Sequence, residues 1–529
     1  MFLYEENLDD VLKKLLVNNI IYFNIKTKMM EVFNAKIVEA DISNWDWLLA
    51  ILNDEQAAQF WITACDKISL IRRWEEYVVD VALSSQVKPW EIGATKELLK
   101  AYPFQGWDRV LISFVKSNPL SIQAIRKKLL GKKINKEEIE AIVEDIQNNK
   151  LSDLALAYYT ATSFFYKADI DELVYTTKAT AYTWDMYRFP GIVASKYCIG
   201  GVSWNETTMI VVPLLASLGI TVPKTFSRSI TSPAATGECV DVLMQSELKK
   251  ADIVRLVEEH GCCLAWNGNL NLAPANDRII KVSAPIGIEP YARMISSIMA
   301  KNYAMWVSHC LIDIPVGPTA KVTNQKDAKK MAKRFKTIGN ALGVKTEVTI
   351  TKAEQPIGNW VGAVLQVREV LRILQQHPER AMDLEEKALN LAAQLLVLCW
   401  VSKLYMTAYK LAKEQLVSGK AMEKLRNLIK AQNGKNPDIG SEELQLAENT
   451  FEVRSPVSGK VKAIDMKHLN TVARMLWAPS DATAWVYLCK KLGDKVKEWE
   501  VIMVCYAYSE SKLEMTKEYL NSGLPYEIK

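Results

Sequence analysis

The chain has 529 residues, and what it has little of narrows the reading first. Average usage would put about 37 glycines in a chain this long, and there are 22. Only 4 histidines occur, with no HxxH or CxxC spacing, which speaks against a zinc site. The 9 cysteines lack paired spacing and read as reduced thiols, the pattern of a cytoplasmic protein. No uninterrupted apolar run reaches the roughly 18 residues of a membrane span. The opening MFLYEENLDD has no basic region ahead of an apolar one, so no signal peptide is expected. Neither charge sign dominates: 66 Lys+Arg stand against 61 Asp+Glu, a net charge of +5. That balance gives no support for a partner that is nucleic acid or a membrane surface. Internal repeats and low-complexity tracts are also missing.

What is present is an ordinary globular composition, 49% hydrophobic and 24% charged. The length suggests about three or four domains. Residues 1–103 mix short apolar runs with turns and read as a small β-rich N-terminal domain. Residues 104–189 read as helical: Ile125, Leu129, Ile139, Ile142 and Ile146 recur at helical spacing. Asn135 before Glu137 and Glu138 suits an N-cap with an acidic first turn, and Ser152 suits another. From 190 to 445, apolar runs such as CLIDIPV and KTEVTI alternate with amphipathic segments such as AKKMAKRFKTIGNALG, the pattern of an α/β domain. A long helical stretch closes it. Residues 446–529 read as a C-terminal α+β domain.

Three segments carry chemistry. KYCIGGVSWNETT, residues 196–208, sets a lysine before a double-glycine bend that enters a hydroxyl-bearing helix start. Backbone N–H groups, the helix dipole and one cation can converge there on a phosphate. Taken alone, the same letters also describe a tight loop into a buried helix. TFSRSITSPAAT, residues 225–236, places hydroxyls beside Arg228, which suits phosphate but also an ordinary Ser/Thr turn around Pro233. The third is LNLAPAND followed by SSIMAK, in which Ser297 and Lys301 are spaced i,i+4 and share a helix face.

In these segments, together with HCLIDIPVGPTAKV and QPIGNWVG, the chain resembles the thymidine phosphorylase/AMP phosphorylase family, in its long form with an N-terminal domain. The resemblance runs from about residue 80 to the C-terminus. It implies an α/β fold: a helical domain, joined by about 285–305, plus a larger α/β domain with a mixed central sheet, flanked by the small β-rich domain and the C-terminal α+β domain. It implies a pentosyltransferase in which phosphate attacks C1′ as the base departs through an oxocarbenium-like transition state. The helical domain closing on the α/β domain would assemble the site. No cofactor or metal is implied; inorganic phosphate is the co-substrate. A homodimer or larger homo-oligomer is implied by analogy.

Carried onto this sequence, the resemblance assigns phosphate to Lys196, Cys198, Gly200, Gly201, Thr207 and Thr208, with Ser227, Arg228 and Thr236 completing that side. Asn269, Asp277, Ser297 and Lys301 would face the nucleoside. Lys196, Tyr197 and Arg228 would be catalytic. Tyr197 stands where the family usually has a histidine that protonates the departing base, and a phenol with a pKa near 10 is a poorer acid. Cys198 stands where it usually has serine. The substrate stays open between AMP, giving adenine and ribose 1,5-bisphosphate, and thymidine or another pyrimidine nucleoside. AMP is preferred because no counterpart of the family's pyrimidine-contacting arginine stands near Lys281–Ala284; Arg278 and Lys281 are positional candidates for a 5′-phosphate. A nucleotide-binding pseudoenzyme is a third reading.

The glycine shortage has a counterpart in 15 tryptophans. At Trp90, Trp107, Trp184, Trp204, Trp306, Trp360, Trp400, Trp477, Trp485 and Trp499 the family carries glycine. A gene in which UGA means glycine, translated as though UGA meant tryptophan, gives this pattern; the alternative is a drifting, degenerate paralogue, though drift would not choose one replacement residue so consistently. Trp266 matches a family tryptophan.

Overall fold

The computed structural model describes residues 33–41, 48–115, 119–165, 169–183, 185–200, 206–227, 235–266, 279, 282, 291–478 and 480–529. They fall into two compact units, one within residues 1–126 and 144–156, the other within 127–143 and 157–529.

The first unit is built on a closed barrel. Its elements are β1 (Phe33–Glu39), β2 (Leu49–Leu52), α1 (Asp54–Gln59), β3 (Lys67–Arg72), β4 (Glu75–Leu83), β5 (Glu91–Ala94), α2 (Lys96–Ala101) and β6 (Arg109–Phe114). The strands close in the order β1-β5-β2-β4-β3-β6. Alternation along β1 turns Phe33, Ala35 and Ile37 inward, where they meet Ile68, Leu70, Val79, Ile92 and Ile112. Closure leaves no unpaired strand edge.

Four helices follow in the chain: α3 (Pro119–Leu129), α4 (Lys136–Gln147), α5 (Asp153–Phe165) and α6 (Ile170–Tyr182). Asn135 caps α4 reciprocally: its Oδ1 accepts from the Glu138 N–H at 2.9 Å, and Glu138 Oε2 accepts from the Asn135 N–H at 2.8 Å. Ser152 Oγ accepts from the Ala155 N–H ahead of α5. Ile125, Ile139, Ile142 and Ile146 are buried, but Leu129, the last residue of α3, is exposed.

The second unit holds β7 (Ala194–Cys198), α7 (Thr207–Ser217), β8 (Val222–Phe226), α8 (Thr236–Leu243), α9 (Lys250–His260), β9 (Cys262–Trp266), α10 (Tyr291–Ala304), β10 (His309–Val316), α11 (Gln325–Leu342) and β11 (Lys345–Lys352). β11, β10 and β7 form one parallel sheet, and β8 pairs in parallel with β9. A parallel bridge, Val193 with Thr221, links the two sheets. Where the resemblance implies a mixed central sheet, the described strands β7 to β11 pair with one another in parallel only. Each connection between neighbouring strands carries a helix, which parallel pairing requires. All of α7 from Thr207 to Ala216 is buried, as an apolar run with no polar stripe demands.

The remainder comprises β12 (Trp360–Val361), α12 (Ala363–Leu374), α13 (Met382–Leu398), α14 (Tyr405–Val417), α15 (Lys420–Ala431), β13 (Asn449–Arg454), β14 (Gly459–Ile464), α16 (Met466–Met475), β15 (Trp485–Leu488), β16 (Lys495–Val496), β17 (Val501–Ala507), α17 (Glu510–Asn521) and β18 (Tyr526–Ile528). β12-β15-β17-β13 and β16-β14-β18 are antiparallel sheets around their own core. Among the described residues no helix is long and apolar enough to cross a membrane.

Candidate active site

The chain runs β7–β8–β9 to one side, then returns to place β10 against the free side of β7. That is a topological switch point, and in parallel α/β sheets ligands settle outside the carboxyl ends of the strands there. Lys196, Tyr197 and Cys198 are the last three residues of β7. Cys198 stands in register with Asp313 of β10.

Lys196 is buried, and its Nζ donates to Thr207 Oγ1 at 2.5 Å. Thr207 and Thr208 open α7, so the cation meets the free N–H groups and positive dipole end of that helix. Burial draws the Lys196 ammonium below its ordinary pKa, against the pull of Cys198 and Asp313. For Asp313, burial alone would raise the pKa; Lys387 and Lys196 outweigh it and keep the carboxylate charged. Lys387 Nζ reaches Asp313 Oδ2 at 2.9 Å, and Thr351 Oγ1 donates to Oδ1 at 2.6 Å.

Gly200 has φ +78°, a conformation that favours glycine, and its surroundings admit the Lys321 side chain about 3.7 Å from where a Cβ would stand. Its N–H points to Cys198 Sγ at 3.4 Å. Burial raises the Cys198 thiol pKa, with Asp313 adding to the effect.

Glu206 sits at the N-cap of α7, 5% exposed. Thr236, first residue of α8, hydrogen-bonds its side chain, while Oε2 has no partner among the described residues. Burial pushes its carboxyl up to about 7, against the pull of Lys196. Lys196, Thr207, Glu206 and Thr236 thus form one connected group. Thr208 is buried in the same helix turn, and Ser227 is exposed just past the end of β8.

Tyr197 is turned away from proton donation. Its hydroxyl lies 3.0 Å from the Thr225 carbonyl and 2.9 Å from Thr225 Oγ1, and burial raises its pKa. The ring instead carries Lys224, whose Nζ is 3.1 Å from the ring centroid. Lys224 is buried on β8, and burial, followed by repulsion from Lys196 and Lys301, holds its pKa well below the ordinary lysine range. Lys301 is buried on α10, with Ser297 one turn earlier on the same helix. Three buried lysines therefore share one electrostatic neighbourhood.

Gly201, Arg228, Asn269 and Asp277 lie outside the described residues, as do Arg278 and Lys281. Lys224, Glu206 and Asp313 were within reach of the sequence: each is a lone charge in an otherwise apolar or loop segment, VPKTF, WNETT and CLIDIPV. What no pattern reveals is that three strands and a helix start bring them together. Among the described residues no group of three His, Cys, Asp or Glu could hold a metal ion.

A family model described as glycosyl transferase family, a/b domain, matches residues 194–422. The AMP phosphorylase of Thermococcus sibiricus is 38% identical over 484 residues, 91% of this chain and 95% of that protein. The AMP phosphorylase of Thermococcus kodakarensis is 38% identical over 467 residues, 88% of this chain and 92% of that protein. The solved structure of anthranilate phosphoribosyltransferase from Thermus thermophilus is 14% identical, with a TM-score of 0.49, over 59% of this chain and 99% of that one.

Proposed function

Since the chain belongs to the thymidine phosphorylase/AMP phosphorylase family, we propose that it is an AMP phosphorylase, a pentosyltransferase that converts AMP and inorganic phosphate to adenine and ribose 1,5-bisphosphate. A phosphate oxygen bonds to C1′, the C1′–N9 bond breaks with its electron pair going to the base, and the base takes up a proton. The protein contributes position and charge.

One observation carries this reading: the buried Lys196 Nζ bonded to Thr207 at the open end of α7, beside a strand terminus at a switch point. An anion is the ligand that satisfies a buried ammonium and a helix N-terminus together. Lys224 and Lys301 are buried in the same neighbourhood, where burial and mutual repulsion disfavour the charged form of Lys224. A second anionic group, which AMP has and a nucleoside lacks, would restore the protonated form of Lys224, and this supports AMP as the substrate. Lys196, Thr207, Thr208 and Thr236 would hold the attacking phosphate, with Gly200 and Gly201 in the bend. Ser297 and Lys301 would face the nucleotide, with Asn269 and Asp277.

The reading carries a four-part layout: β-rich 1–103, helical 104–189, α/β 190–445 and α+β 446–529. The closed barrel supports a β-rich first part, although its last strand β6 (Arg109–Phe114) lies past residue 103, and the sheets of β13–β18 support the last part, although β12 (Trp360–Val361) joins them from the α/β part. The packing of α10 against α6 supports joining 285–305 to the helical part. It also includes a cytoplasmic location, a homo-oligomer and no cofactor beyond phosphate.

Assays of base release from AMP, CMP, thymidine and uridine with phosphate test the proposal. Adenine from AMP alone is expected. Release from thymidine but not AMP would move the assignment to the nucleoside enzyme, and no release from any substrate would leave a pseudoenzyme.

A further inference from the structure

Eight tryptophans have φ in the left-handed region: Trp61 (59°), Trp74 (76°), Trp90 (67°), Trp107 (101°), Trp306 (58°), Trp400 (59°), Trp477 (88°) and Trp499 (63°). The only other non-glycine residues there, among those described, are Cys65, Arg73, Asn149, Gln376 and Asn433. Bulky residues rarely adopt this conformation, and asparagine is the usual exception. All eight tryptophan residues are exposed, although Trp90 touches the Phe33 and Phe60 rings and Trp400 the His309 ring.

Each of the eight fills a position with a known demand. Four follow helices. The Trp306 N–H bonds Tyr303 O and the Val307 N–H bonds Asn302 O. Trp400 with Val401, Trp477 with Ala478 and Trp61 with Ile62 repeat this paired pattern at the ends of α13, α16 and α1. It is the Schellman motif, whose C′ residue is usually glycine. Gly219 closes α7 in the same way, its N–H on Ala216 O and the Ile220 N–H on Leu215 O, at φ +80°.

The other four sit in tight turns. Arg73 and Trp74 are the two-residue loop between β3 and β4, both with positive φ, as a type I′ hairpin requires, and the second place there favours glycine. In Lys88-Pro89-Trp90-Glu91, with the Glu91 N–H on Lys88 O, Trp90 follows a proline where a type II turn takes glycine. Trp107, with the Asp108 N–H on Gln105 O, and Trp499, with the Glu500 N–H on Lys497 O, hold the same third position.

We infer that these eight residues are glycines in the protein its own cell makes, their codon being read there as glycine. Backbone geometry selects them without reference to any relative. It adds Trp61 and Trp74 to the ten positions picked out by comparison with the family, and keeps Trp90, Trp107, Trp306, Trp400, Trp477 and Trp499. Trp184 and Trp204 lie outside the described residues. Trp360 and Trp485 are buried in β12 and β15 and show no such φ, so the geometry does not reach them. Trp266, in extended β9, shows no such φ either and is not selected; it also matches a family tryptophan.

Peptide mass spectrometry of the protein isolated from its native cells tests this directly. Glycine in the peptides covering all eight positions, with tryptophan at 266, is the expected result. Tryptophan at the eight positions would overturn the inference. The outcome is independent of whether the protein cleaves AMP.

Discussion

Lys224 lies with its Nζ 3.1 Å from the centre of the Tyr197 ring, on neighbouring strands and with both side chains buried. The pair places a buried amine in the electrostatic neighbourhood of Lys196 and Lys301 and leaves the tyrosine hydroxyl committed to Thr225. Removing the phenol oxygen should therefore cost little chemistry. Tyr197→Phe keeps the ring under Lys224 and is expected to retain kcat within about tenfold, whereas loss of a general acid costs about 10²–10⁴-fold. Steady-state kinetics with AMP and phosphate distinguish the two; a loss in the larger range would make Tyr197 the proton donor.

Lys196→Met removes the cation bonded to Thr207. A fall in kcat/KM for phosphate of about 10²–10³-fold is expected, the range for losing one preorganised group that stabilises charge. Unchanged kinetics in a folded variant would place the anion elsewhere.

Glu206 gives a pH signature. Its carboxyl is raised to about 7, so the folded state keeps a proton that the unfolded state releases above its ordinary value near 4.5. Its contribution is fully present below pH 4.5 and is lost as pH rises through 7, a decline of about 3 kcal/mol. Glu369, also buried and raised to about 7, declines over the same window. Comparing urea denaturation of the parent and Glu206→Gln from pH 4.5 to 8 isolates the first: the variant should gain relative stability as pH rises. A pH-independent difference would show that Glu206 is ionised throughout.

Asp313 is fully buried between Lys387 and Thr351. Asp313→Asn leaves Lys387 without its counter-charge, and breaking a buried pair costs about 3–5 kcal/mol. A drop of that size in denaturation free energy is expected; under about 1 kcal/mol, the range of exposed pairs, would show that the pair is solvated.

Trp61 is 87% exposed at a left-handed helix end. Trp61→Gly is expected to stabilise the protein by about 1 kcal/mol and Trp61→Ala not to, because strain at such φ belongs to any residue with a Cβ. Thermal unfolding of both reports it, and equal shifts would assign the effect to the indole instead.

How far the sequence leads depends on whether an element is specified locally. The cap at Asn135 was legible because the residues that satisfy the free N–H groups are three apart. The amphipathic run 325–342 was legible because Ala328, Met331, Phe335 and Ile338 share a face, and all are buried. Leu129 fits the same periodicity yet is exposed, as the last residue of α3. The barrel order was not legible, since β1 pairs with β5 and β6, more than fifty residues away. At the site, Lys196 and Thr207 lie in one segment that sequence could single out. Lys224 under Tyr197, Thr236 on Glu206 and Lys387 on Asp313 depend on strand order and register, which no single segment encodes.

The anion pocket around Lys196 is tested most directly by measuring adenine released from AMP as phosphate concentration is varied, with the parent protein and Lys196→Met side by side. Release that saturates with phosphate in the parent and is lost in the variant is the predicted result. Release that does not depend on phosphate, or that survives unchanged without the lysine, would contradict it.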